Sequence, residues 1–291
     1  MRRIFCSWQR ELQSTAALLV QQAIFPTLQD QLLVCHMTDS RQFPEGMTPL
    51  GKDPFTFHCH PGVSCFTVCC RAVELDLYPY DIIRLKNSLG MDSEQFMRTH
   101  TELKKGANPY FPTVILKQAE TGSNPQCPFL TESGCAVYRD RPTACRTYPL
   151  ERAVDRAPER GRAEDFYFLV KHDYCKGHDE DRLTDVKTWI RHQQLDQFNL
   201  MNDLWTEIDT LFASNPWQGE GAGGPNQQLA FMVCYNIDGF RKFSLQQRLF
   251  DRYHLNREQK KRIEKDDVEL LKFGFEWLKK IFASRSALIK R

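Results

Sequence analysis

Eight cysteines between Cys59 and Cys175 constrain this chain more than any other feature, because so many thiols in one segment require a common chemistry. They are Cys59, Cys65, Cys69, Cys70, Cys127, Cys135, Cys145 and Cys175, and only Cys6, Cys35 and Cys234 lie elsewhere. Disulfides are the competing use, favoured in oxidising compartments and in small domains short of apolar core. At 291 residues and 41% hydrophobic, this chain can bury a sizeable core without covalent staples. The early apolar run Thr15 to Phe25 is broken by Gln21 and Gln22, unlike a secretory signal. No stretch approaches the roughly 18 apolar residues of a membrane span. The expectation is therefore a cytoplasmic protein, without a membrane segment, whose thiols serve metal or redox chemistry.

The first group lies in Phe57-His58-Cys59-His60-Pro61-Gly62-Val63-Ser64-Cys65-Phe66-Thr67-Val68-Cys69-Cys70. Four thiols in twelve residues exceed what buried cysteines acting as small hydrophobes explain. Turn residues such as Pro61 and Gly62 let the chain curl sulfurs around a metal. Side chains of neighbouring residues diverge, so Cys69 and Cys70 are expected to serve different metal positions, or one to ligate while the other has a second role. The second group, Cys127, Cys135 and Cys145, sits in Cys-Pro-Phe-Leu, Gly-Cys-Ala-Val-Tyr and Arg-Pro-Thr-Ala-Cys-Arg-Thr-Tyr-Pro, with Cys175 further on. Arg139, Arg141 and Arg146 are expected to lower the nearby thiol pKa values, to form ordinary surface ion pairs, or to make an anion site for a substrate. His58, His60, His172 and His178 flank the cysteines and are read as neighbours rather than ligands.

In this order, with the helix start Leu-Tyr-Pro-Tyr-Asp-Ile-Ile-Arg-Leu at 77–85 and the final Cys-Lys-Gly, these pieces resemble the YkgJ-type cysteine-cluster family. That family is a zinc- or iron-chelating domain and includes flagellin lysine N-methylases, which implies a bacterial source. The resemblance covers about Phe55 to Gly177. By it, Cys69, Cys70, Cys127, Cys135, Cys145 and Cys175 match directly. The family's first cysteines are two residues apart, whereas here Cys59, Cys65 and Cys69 are separated by five and then three residues.

An all-cysteine, histidine-poor set favours iron-sulfur over zinc, and the repeated Cys-x2-Cys pairs of zinc fingers are missing. The bacterial ferredoxin run is missing too. The expected function is metal binding by an iron-sulfur cluster with a redox or protein-modifying role. The alternatives are a zinc-binding structural protein and, by analogy with the flagellin-modifying relatives, a lysine N-methylase-like enzyme. Gly219 to Gly224 is glycine-rich but follows no strand pattern, which argues against a nucleotide loop.

The expected fold class is α+β: a small cysteine-rich region with short strands at 55–180, packed against a mainly helical region at 181–291, after an extension at 1–54. A helix is expected over Trp8 to Phe25, another from Pro79 to Leu89 with Gly90 as its stop, and a capping box at Asp92 and Gln95. Val114–Lys117, Ala136–Tyr138 and Phe166–Val170 read as strands. One apolar stripe runs from Val186 to Phe212, a loop occupies 215–226, and helices follow at Gln227–Ile237, Ser244–Tyr253 and Glu258–Ala283. From Gly239 to Arg291 there are 15 Lys and Arg against 7 Asp and Glu. A solvated helix face is the preferred reading of this tail, with nucleic acid the less favoured partner and an unidentified protein partner or substrate for the whole.

Overall fold

Pro79 opens the first long helix and Gly90 closes it, as the sequence predicts. In the computed structural model, which describes residues 43, 48–71, 74–121, 124–156 and 163–291, helix α1 spans Pro79–Leu89. Proline at N1 has no amide to lose there, and Gly90 takes the left-handed φ of 65° that ends the helix. Asp92 caps α2 (Ser93–His100) by accepting from the Gln95 amide. The helix expected over Trp8 to Phe25 lies outside the described residues.

The strands form five antiparallel pairs among the described residues. β1 (Phe55–Thr56) pairs with β10 (Leu183–Thr184), and β2 (Thr101–Lys104) with β3 (Thr113–Leu116). β4 (Ala119–Thr121) pairs with β5 (Asn124–Gln126), β6 (Leu130–Thr131) with β7 (Gly134–Cys135), and β8 (Leu150–Asp155) with β9 (Glu164–Leu169). The strand expected at Ala136–Tyr138 does not form. The hairpin ends at Cys135, and Tyr138–Asp140 turns into a single 3-10 turn. Ala136 N–H still donates to the Phe129 carbonyl at 2.9 Å, but the run then turns and buries Val137 instead of extending the strand.

Beyond β10, the apolar stripe divides into α4 (Val186–Gln193) and α5 (Leu195–Ala213), because Gln194 adopts a left-handed φ of 54°. Helix α6 is Pro225–Tyr235 and α7 is Ile237–Gln246. The expected helix start at Ser244 is wrong. Asn236 caps the Gly239 amide, so the helix begins earlier and Ser244 is a fully buried interior residue of α7. The expected single helix at Glu258–Ala283 is α8 (Arg257–Lys265) and α9 (Asp267–Phe282). Asp266 breaks it by taking an extended conformation and capping the amides of Val268 and Glu269. The Gly219–Gly224 stretch follows a helix, not a strand, so it lacks the setting of a nucleotide loop.

One apolar core joins residues on either side of position 180. Leu77 just before α1, Ile82 and Leu85 of α1, Phe198, Met201 and Ile208 of α5, Phe240 of α7 and Phe275 of α9 are all buried in it. Each such side chain contributes about 1.5–3 kcal/mol on leaving water. Lys86, almost fully buried, reaches Asp238 at 3.2 Å and Asp267 at 2.9 Å, which ties α1 to α7 and α9. A smaller core of Phe55, Phe57, Leu150 and Tyr167, with Trp189 and Ile190 packed on it, underlies β1 and β8–β9. The cysteine segments are strung between these two cores. No helix among the described residues is long and apolar enough to cross a membrane.

Candidate metal centre

A train of tight turns follows β1. Val63 N–H donates to the His60 carbonyl at 3.1 Å, Phe66 to Val63 at 2.9 Å, Val68 to Cys65 at 3.0 Å and Cys70 to Thr67 at 3.0 Å. Such winding keeps Cys59, Cys65, Cys69 and Cys70 close in space although they are irregularly spaced in sequence. Thr67 sits in the left-handed region at φ 67°, unusual for a β-branched residue, immediately before the 3-10 turn that carries the vicinal pair.

The second group is docked onto this turn by backbone contacts. Cys127 N–H donates to the Cys70 carbonyl at 2.8 Å, and Arg71 bridges Gln126. The β6–β7 hairpin then sets Cys135 opposite Leu130, whose amide donates to the Cys127 carbonyl. Cys145 lies in a short helix, α3 (Thr143–Thr147), anchored from below by Asp81. The fully buried Asp81 carboxylate accepts from the Thr143 amide at 2.9 Å, the Thr143 hydroxyl at 2.8 Å and the Tyr78 amide at 3.0 Å. Burial pushes its pKa up to about 6, against the lowering effect of those bonds. Cys175 arrives last, and the next amide, Lys176 N–H, donates to Cys65 Sγ at 3.0 Å.

The electrostatic neighbours of each thiol show which sulfurs meet. Burial pushes Cys59 up to about 11, reinforced by Cys69, Cys65 and Cys175 and opposed by Arg141. The bond to Cys69 raises Cys70, with burial, Cys69, Cys127 and Cys145 adding to it. Burial pushes Cys145 up to about 12, with Cys127, Cys69 and Cys135 next. Burial likewise raises Cys127 and Cys135, each of which faces Cys69. By these interactions Cys59 is influenced by Cys65 and Cys175, and Cys70 and Cys145 by Cys127, while Cys69 acts on both sets. Cys69 alone moves the other way, to about 7, because the Cys70 thiol bonds to it. Cys145 keeps solvent-exposed surface, yet its neighbours desolvate the thiol.

One expectation about charge is corrected. The arginines do not make the thiols generally acidic, since burial and mutual repulsion prevail at Cys59, Cys127, Cys135 and Cys145. Arg141 is the arginine that opposes the rise, at Cys59 and Cys135, and it is held over the Tyr138 ring at 3.9 Å. Buried Arg146 points away, donating to the carbonyls of Gln193 and Arg139 and covering the Phe198 ring. It braces α3 against the start of α5.

The histidines divide. His172 stacks between Tyr148 and Tyr174, at 5.6 and 5.1 Å, and His178 packs on Phe57 at 5.0 Å. Both belong to an aromatic wall beside Cys175, as ordinary packing residues. Tyr148, which the sequence did not single out, bonds to Cys175 through its hydroxyl. Cys234 is buried in the helical core, remote from this network, and Cys6 and Cys35 lie outside the described residues.

Thiols are soft donors, suited to zinc or iron-sulfur, although among the described residues no three of these sulfurs lie within 4.8 Å of one another. Residues 58–176 match the CxxCxxCC family, described as a "Putative zinc- or iron-chelating domain". This segment, less than half of the chain, is thus similar to the CxxCxxCC domain. No curated protein and no solved structure matches the chain. The CxxCxxCC match takes in every cysteine of the network, from Cys59 to Cys175, and ends before β10. The protein is thus a metal-binding cysteine-cluster protein.

Proposed function

We propose that the eight thiols of the CxxCxxCC domain hold iron-sulfur, and that the protein serves a redox or structural role through it. The observation that carries this reading is the mutual influence of Cys59, Cys65 and Cys175, and of Cys70, Cys127, Cys135 and Cys145, with Cys69 acting on both sets. With the bonded pair Cys69 and Cys70 at their junction, the thiols can be divided into two four-sulfur subsets, Cys59/Cys65/Cys69/Cys175 and Cys70/Cys127/Cys135/Cys145. Thiolate is the ligand of iron-sulfur clusters, and hydrogen bonds to sulfur adjust their potentials. The Lys176 amide at Cys65 and the Tyr148 hydroxyl at Cys175 supply such bonds to the first subset. Metal loading displaces the protons that these raised thiols carry.

The test is purification without oxygen, followed by an absorption spectrum and analysis for iron, inorganic sulfide and zinc. Brown protein with broad charge-transfer absorption and sulfide matching iron supports the proposal. Colourless protein carrying stoichiometric zinc and no sulfide overturns it in favour of a zinc-binding structural domain.

A further inference from the structure

Three donors of a different chemistry stand beside the sulfurs: His58, His60 and Glu180, each half-buried, offer ligand atoms all within 4.8 Å of one another. They come from segments 120 residues apart. The β1–β10 pairing is continued by the Phe57 N–H bond to the Arg182 carbonyl at 3.0 Å and by the His58 N–H bond to the Gly177 carbonyl at 2.9 Å. Alternation along this extended stretch puts His58 and His60 on one side, their rings 4.5 Å apart, and Cys59 on the other, toward the sulfurs. Glu180 follows directly on the 3-10 turn Lys176–Asp179, and its Oε2 lies 3.0 Å from His60 Nε2.

The geometry points to a second metal site at His58, His60 and Glu180, one that takes a divalent first-row cation such as Zn(II) or Fe(II) rather than a cluster. Two imidazoles and a carboxylate are a borderline donor set that leaves coordination positions open to water or to an oxygen-bearing ligand. A cation about 2.1 Å from each donor requires donor separations of roughly 3 to 4 Å. The His60–Glu180 pair already meets this, so a side-chain rotation of His58 closes the set. Without metal, His60 Nδ1 accepts the Gly62 amide at 3.1 Å, which leaves the ring proton on Nε2, facing Glu180. Loading moves that proton to Nδ1 and gives up the Gly62 bond, a single exposed contact. The ring remains neutral and no proton leaves it. The open face of the site, half exposed at His60 and Glu180, admits the ion from solvent.

The experiment is a Co(II) titration of the full protein, purified without oxygen and with its thiolate-bound metal in place. The expected result is one further Co(II) per chain, giving weak ligand-field bands without sulfur-to-cobalt charge transfer. Glu180→Gln and His58→Ala are each expected to weaken that uptake at least tenfold, while the metal already held by the thiolates is retained. His254→Ala, remote from the site, serves as the control. Absence of additional uptake, uptake accompanied by sulfur charge transfer, or uptake unchanged in both variants would each overturn the site and leave an ordinary His–Glu hydrogen bond. Because thiolate-bound metal is measured in the same samples, failure here is distinguishable from failure of the iron-sulfur proposal.

Discussion

Replacing Gly177 with alanine tests whether the crossing of two cysteine-bearing segments is as tight as the structure implies. A Cβ at this position comes 2.8 Å from Phe57 Cε2, 3.3 Å from Phe57 Cδ2 and 3.1 Å from the His58 carbonyl oxygen. The ring cannot move aside easily: it is buried and meets Tyr148 and Trp189 edge-on at 5.6 and 5.5 Å. The carbonyl is backbone, adjacent to Cys59. Overpacking of this kind costs about 1–3 kcal/mol. Loss of the glycine's unfolded-state freedom offsets about 0.4–1 kcal/mol of that, so strain wins. A net loss of about 1–2 kcal/mol lowers Tm by roughly 2–8 °C for a domain of this size. The same shift pulls the Lys176 amide from Cys65 Sγ, so metal should leave faster to a chelator. Thermal unfolding and chelator-driven metal release of wild type and Gly177→Ala, side by side, provide the assay. An unchanged Tm together with an unchanged release rate would show that these segments yield freely and that the crossing does not organise the site.

Cys145→Ser is expected to lower metal content measured by elemental analysis, whereas Cys234→Ser leaves metal content unchanged yet lowers stability by about 1–3 kcal/mol in urea, because it places a hydroxyl in an apolar core. Equal metal loss in both would contradict the separation of Cys234 from the sulfur network. In metal-free protein, iodoacetamide at pH 7.5 should modify Cys69 well before Cys59 and Cys145 by peptide mass analysis, since their thiols are shifted to about 7, 11 and 12. The stability linked to Cys69 has the matching sign: its folded pKa is depressed, so its contribution is full above the unfolded thiol value near 8.5 and is lost as pH falls through about 7. Cys70→Ala removes the bonded partner and should slow the Cys69 reaction, whereas an unchanged rate would mean that Cys70 does not activate it.

The sequence alone determined that metal chemistry resides between Cys59 and Cys175, because thiol density there exceeds what packing can use, and clustering in sequence is visible without coordinates. It determined α1 as well, where Pro79 and Gly90 act locally on one backbone turn each. The expectation that the adjacent side chains of Cys69 and Cys70 diverge is not met, since the Cys70 thiol bonds to Cys69. The tertiary structure decided which sulfurs meet, since Cys175 joins Cys59 and Cys65 across more than a hundred residues through the Lys176 amide, and loop closure over such a distance leaves no mark on spacing. It also decided the sign of the thiol shifts. Arginines counted along the chain suggested acidic cysteines, but Arg146 turns into the α4–α5 junction, and burial governs the rest. Ser244 and Asp266 show the limit for helices: a serine that reads as a cap was core, and an aspartate inside a stretch read as one helix was the true break. Glu180 was invisible as a partner of His60 because a single carboxylate has no periodicity to reveal it. Only antiparallel pairing of β1 with β10 brings that side chain to the histidines, and strand pairing is a property of the folded chain rather than of any segment of it.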